Sequence, residues 1–294
     1  MPLAIPVLPP AQLAPLRRTY RTATASRQRH TLLAAGIFIA CVLLSCWVAE
    51  VDVARFWTNI GRFTSYIGRI FLLENRALVW TDFGEWFWGL SRWLAKIGET
   101  LLIAYLGTIL GALGAFALCF LAAANVGSKS WTVFVTRRVL EFCRTVPELV
   151  FALTFVVAFG LGPLPGILAI TIHTFGALGK QFAEVVENID LKPFEGVVGT
   201  GATWTQAVRF AVLPQVLSNF ASYGLIRFEI NFRGAAIMGF VGAGGIGQDL
   251  LEAIRKFYYS DVSAMLVMIV ATVMIIDLVT ERVRHRLLGA ERGS

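Results

Sequence analysis

The sequence predicts an all-α integral membrane fold, with six transmembrane helices and an interfacial amphipathic helix after the first span. Three observations carry this. Hydrophobic residues fill 56% of the 294 positions and charged residues only 15%, where soluble domains carry about 25% charge. Mean hydropathy is +0.68, and the apolar residues gather in runs able to cross a hydrocarbon core of roughly 30 Å. Lys and Arg concentrate in alternate connecting segments, a bias that makes those segments cytoplasmic and puts both termini inside. The net charge of +7 then belongs to inner loops and implies no nucleic-acid partner.

The elements follow in order. Residues 1–30 read as a disordered basic cytoplasmic tail, Pro-rich and then carrying Arg17, Arg18, Arg21, Arg27 and Arg29; no cleavable signal peptide is expected. Residues 31–97 hold the first span, Leu32–Ala49, and an outer segment. In that segment Arg55, Arg62, Arg69 and Arg76 recur opposite Val53, Phe56, Trp57, Ile60, Phe63, Ile67 and Ile70. An Arg stripe against an aromatic face predicts a helix lying in the lipid interface. A coiled-coil seam would want leucines where these aromatics stand.

Residues 98–288 form one membrane core, followed by a short tail, 289–294. The second span is Gly98–Ala123, with Gly107, Gly111 and Gly114 at the small-residue spacing that lets helices approach closely. The third is Val139–Leu161 and the fourth Gly166–Lys180, entered through Pro163 and Pro165. The fifth is Val212–Phe232 and the sixth Val262–Thr280. Cys41, Cys46, Cys119 and Cys143 sit in apolar segments with no CxxC pair, so they read as small core residues.

The inner loop 183–214 contains Glu195–Pro214, EGVVGTGATWTQAVRFAVLP. Gly199 and Gly201 permit a bend between two short helices, and Pro214 suits the first turn of the next one. The stretch resembles the "EAA" loop of ABC-importer permeases: Glu-Ala-Ala, three residues, Gly, nine residues, Ile, one residue, Leu-Pro. Glu195, Gly201, Leu213 and Pro214 match; Gly196 and Val197 replace the alanines and Ala211 the isoleucine. The resemblance implies a helical loop that docks into an ATPase subunit. Arg144–Ala169 (RTVPELVFALTFVVAFGLGPLPGILA), Arg233 and Gly239–Gly247 (GFVGAGGIG) resemble the phosphonate-importer permease family, of the methionine-importer-like type I ABC permease fold. That implies two copies of this chain, two ATPase subunits carrying ATP and Mg, and an extracytoplasmic phosphonate-binding protein. The chain itself would hold no cofactor.

Candidate path residues come from charge and glycine placement. Gly242, Gly244, Gly245 and Gly247 make a glycine-rich stretch that formally matches G-x-G-x-x-G. A dinucleotide site needs a βαβ unit, for which flanking spans leave no room; a turn entering the membrane fits better, as an outer gate or path lining. Charges within spans are costly and mark pathways. In the third span Glu141, Arg144 and Glu148 fall on one helical face beside Pro147, as a structural cluster or a gate. In the fifth, Gln215, Ser218, Asn219, Ser222, Glu229 and Arg233 form a polar stripe expected to line water or a partner subunit. Arg227 and Arg233 suit an anion, although Arg227 is expected to pair with Glu229. His173 reads as a packing or hydrogen-bonding residue, and Asp277 and Glu281 as a solvated helix end near Arg284.

No Walker motif, HExxH, G-x-S-x-G or CxxC occurs, so ATP hydrolysis would belong to a separate subunit and an enzyme reading lacks its nucleophile and base. The function expected is the permease subunit of an ATP-driven phosphonate importer in the inner membrane. A permease for phosphite, phosphate or methionine is the alternative; a membrane enzyme or a scaffold stands further off.

Overall fold

The structure is a computed structural model describing residues 10–73, 76–126 and 129–291. Among the described residues there are helices and no strand, only an isolated bridge between Leu72 and Leu78. Two compact units divide at Tyr66 and Ile67.

The first unit contains α1 (Pro10–Val48) and most of α2 (Val53–Ile70). The expected disordered tail is corrected from Pro10 onward: these residues are the first turns of α1, where Ala, Leu, Gln and Arg favour helix. Residues 1–9 lie outside the described residues. Ser26–Val48 is long and apolar enough to cross a membrane. Helix α2 carries Arg55, Arg62 and Arg69 opposite the exposed Phe56, Trp57 and Phe63; Arg76 falls outside it, in a turn with φ +65°.

The second unit runs through α3 (Phe83–Trp86), α4 (Leu90–Ala122), α5 (Ser130–Thr145), α6 (Glu148–Phe159) and α7 (Pro163–Glu187). Short helices α8 (Lys192–Gly199) and α9 (Trp204–Ala207) lead through a π-turn, Val208–Val212, into α10 (Leu213–Met238). Helices α11 (Ile246–Lys256) and α12 (Tyr259–Glu291) complete it.

Helices α4 and α7 form the central pair, and the glycine spacing explains their approach. A Cβ at Gly107 would stand 2.6 Å from Ile170, at Gly111 2.7 Å from Thr174, and at Gly114 2.8 Å from Phe175. Only hydrogen fits at such a crossing. Phe182 of α7 stacks on Phe220 of α10 at 4.0 Å, closing an apolar core with Phe120 and Leu140 near the α8–α9 end. A second core, around Trp93, Ile246 and Met265, lies near the α11 end.

Among the described residues, Leu90–Ala122 and Tyr259–Leu287 join Ser26–Val48 as helices long and apolar enough to span a membrane. The expected third span, Val139–Leu161, is not one helix. Helices α5 and α6 meet at 81°, because Val146 before the proline is extended (φ −71°, ψ 124°) and Pro147 offers no N–H. Helices α7 and α10 have 25 and 26 residues, longer than the apolar runs within them, since polar side chains extend both helices past the hydrophobic stretch.

Candidate functional site

Helix α10 is polar on two faces. One runs antiparallel to α12. Ser218 donates to the Leu287 carbonyl at 3.1 Å, Thr280 donates to Glu229, and Arg233 donates to both oxygens of Asp277 at 2.9 and 3.1 Å. Ser222 is buried, Ser218 and Glu229 are engaged in helix–helix contact, and Arg233 pairs with Asp277 while both side chains stay partly exposed. Asp277, expected at a solvated helix end, is the partner of Arg233. Gln215 turns to the main chain of Asp190, and Asn219 borders an open depression with Gln181, Asn188 and Tyr223.

The other face meets α4, α6 and α7. Arg227 is bonded through Nη2 to Nδ1 of His173, with Thr174 Oγ1 at 3.5 Å from its Nε. A guanidinium can only donate, so His173 accepts at Nδ1 and carries its proton on Nε2. Asn231 is fully buried and donates to Thr108 and Thr174 at 2.7 and 2.8 Å. Glu148 opens α6, where the helix dipole favours an anion. Its carboxylate lies against Gly234, at which a Cβ would sit 2.5 Å from Oε1. Glu148 Oε2 is 3.8 Å from His173 Nδ1 and has no hydrogen bond.

Two expectations change here. Arg227 does not pair with Glu229, because residues two apart on a helix point to different sides. Glu141, Arg144 and Glu148 do not share a face, because the helix breaks between them; Glu141 pairs with Arg138 and Arg144 is exposed. The structure instead brings Glu148, His173, Arg227 and Asn231 together from three helices. Thr108 and Thr174, unremarkable in sequence, complete the cluster.

The glycine-rich turn is a packed joint. Gly242, Gly244 and Gly245 have φ of +86°, +83° and +77°. Gly244, Gly245 and Gly247 are buried, and Gly242, half-buried against Leu161, borders an open depression with Phe240 and Gln248. Such irregular backbone needs partners for its N–H groups. On α4, Glu99 accepts from Gly245 N at 3.2 Å and Thr100 from Ile246 N at 2.9 Å. A Cβ on Gly247 would overlap the Ala236 carbonyl oxygen.

Near the opposite end of α10, α8 and α9 form a bracket. Gly201 (φ +86°) makes the bend alone, since Gly199 is the last helical residue of α8. Thr203 and Gln206 cap α9 reciprocally. Trp204 Nε1 donates to the Val126 carbonyl at 2.6 Å, and Gln215 ties the start of α10 to Asp190, just before α8. Pro214 stands in the first turn of α10 behind Leu213. Glu195, Val198 and Phe210 project outward. Trp204 is a structural anchor that motif matching passed over, and Gln215, read in sequence as part of a polar stripe, is another; the Thr-x-x-Gln capping signal was legible.

Residues 107–288 match the family model of the binding-protein-dependent transport system inner membrane component. The chain is 35% identical over 243 residues to a phosphite transport system permease protein of Stutzerimonas stutzeri, covering 82% of this chain and 84% of that one. It is 45% identical over 121 residues to a putative cryptic phosphonate transport system permease protein of Escherichia coli K12, covering 41% of this chain and 99% of that one. Among solved structures, a chain of an inward-facing methionine ABC transporter superposes with a TM-score of 0.57 at 19% identity, over 66% of this chain and 95% of that one. At that identity the likeness is one of fold.

Proposed function

The chain belongs to the binding-protein-dependent transport system inner membrane component family, and we propose that it is the permease subunit of an ATP-driven importer for phosphonates. Phosphite is the second reading, favoured by the extent of the Stutzerimonas match. Two copies enclose the path, two ATPase subunits bind ATP and Mg below, and an extracytoplasmic phosphonate-binding protein delivers the ligand. Six spans place both termini in the cytoplasm, with α6, α7 and α10 completing the crossings, and α2 rests at the lipid surface with its aromatics in the interface.

The observation that carries the reading is the bracket of α8 and α9. It exposes Glu195, Val198 and Phe210 while Trp204 and Gln215 fasten it to the helices behind. A force applied to the bracket reaches α10 directly, the arrangement a rigid-body switch requires.

The test is uptake into proteoliposomes of the complete complex, offered methylphosphonate, phosphite and methionine in turn. Wild type is expected to take up the phosphorus compounds, and Glu195→Lys to abolish uptake through lost ATPase coupling while the permease still folds. Methionine uptake alone would overturn the substrate. Full ligand-stimulated ATP hydrolysis by Glu195→Lys would overturn the bracket as the coupling surface.

A further inference from the structure

The two arginines of α10 keep different company. Arg233 is paired with carboxylates, its Nη2 donating to both oxygens of Asp277, with Glu229 4.0 Å away. Arg227 is bonded to a neutral imidazole nitrogen and has a hydroxyl at 3.5 Å, while the Glu148 carboxylate acts on its charge without a direct hydrogen bond. A guanidinium has five N–H donors, so most of those on Arg227 are unspent. Acceptors nearby are unspent too. Glu148 Oε2 and Asn231 Oδ1 are buried without a hydrogen bond, and Asn231 stands one helical turn from Arg227. Arg227 and Glu148 thus face each other as opposite charges with no hydrogen bond between them, an arrangement that a bridging ligand with both acceptors and a donor would satisfy.

We propose that Arg227 is the contact for the transported oxyanion within the membrane, and that Glu148 selects the singly protonated form. This rests on the phosphorus-oxyanion reading above. A tetrahedral phosphorus oxyanion with one P–OH offers both complements. Two of its oxygens accept from the guanidinium fork, and its hydroxyl donates to Glu148 Oε2. The fully ionised form would bring a second negative charge to that carboxylate with no hydrogen to give. His173 holds the place meanwhile: its Nδ1 occupies the acceptor position at Arg227, and on displacement it keeps Glu148 as a neighbour at 3.8 Å. Gly234 leaves room for the carboxylate. The charged and titratable groups facing the site are Glu148 from α6 and His173 from α7. Among the described residues, α4 brings Thr108 and α5 the main chain of Arg144, neither of them a charged side chain. The charges of α12 engage the other face of α10.

The test uses the complete complex in proteoliposomes, with radiolabelled phosphite on saturating binding protein. Arg227→Gln is expected to lower uptake about 10- to 100-fold in complexes that still assemble. Arg227→Lys recovers part of it, having the charge without the fork. Glu148→Gln changes the pH profile: its uptake relative to wild type rises between about pH 6 and about pH 8, as the second ionisation of a phosphate-type anion is crossed. Taking the ratio cancels the contribution of the binding protein. Should Arg227→Gln not assemble, Arg227→Lys and Glu148→Gln decide. Wild-type uptake by an Arg227 variant, or a flat ratio for Glu148→Gln, overturns the site while the importer reading stands. A wild-type complex that takes up neither phosphite nor methylphosphonate overturns both.

Discussion

Two glycine turns bracket α10, and they use glycine for opposite reasons. At Gly201 the backbone is left-handed and nothing lies within 4 Å of where a Cβ would stand. At Gly242–Gly247 the backbone is equally irregular, but every glycine is hemmed in: by Leu161, by Glu99 and Pro163, by Thr100, and by the Ala236 carbonyl. The first turn asks for a conformation and the second asks for a conformation and an empty volume. A turn with free space around it can be pushed by a partner. A turn filled on every side holds the ends of α4, α6, α7, α10 and α11 in one arrangement.

Substitution can break that contrast or sharpen it. The largest effect is expected from Gly247→Ala, where the added methyl meets backbone that cannot swing away. Overpacking of this kind costs about 3 kcal/mol or more, read as loss of folded protein and a lower melting temperature in detergent. Gly244→Leu comes next. Its Cβ would fall 2.8 Å from Glu99 and 3.2 Å from the Pro163 nitrogen, so the variant is expected to lose stability, measured in the same assay. A well-folded Gly244→Leu complex blocked only in uptake would restore the turn as a gate.

Gly201→Ala is expected to be milder, about 1 kcal/mol of backbone strain with no clash. It should appear as weaker binding of the ATPase subunit, with the melting temperature of the permease nearly unchanged. The smallest effect belongs to Gly199→Ala, with helical backbone and open space. There alanine is expected to be neutral or to stabilise by about 0.5–1 kcal/mol, checked by thermal melting. If Gly199→Ala and Gly201→Ala proved equally harmful, the bend would have to be shared between them.

Some of this was legible in the sequence. The glycines of α4 announced their close approach because small residues three or four apart on a helix mark a contact whichever partner arrives. Pro147 signalled a break, but apolar residues run past it on both sides, and hydropathy does not register a turn in the chain. The period of the α10 stripe was correct, yet periodicity says which residues share a face and not what the face meets. That is why the stripe shows Arg233 on a polar face but not that Asp277 of α12 is its partner. His173, Thr108 and Asn231 come from three helices far apart in sequence, and nothing local marks them as neighbours. The glycine run showed where side chains are missing, and only packing shows what fills the space.

The π-turn at Val208–Val212 has a consequence for insertions and deletions. An i→i+5 turn holds one residue more than the α-helical turn it replaces, whereas every residue added to or removed from a regular helix rotates the remainder of that helix by about 100°. Losing one residue between Val208 and Val212 would therefore convert the turn to ordinary helix and leave both faces of α10 aimed as they are. Losing one between Ser218 and Arg227 would swing the Arg227 side toward lipid. The chain holds a spare residue at the joint where the bracket meets α10, and length changes there are expected to be tolerated where a neighbouring deletion is not.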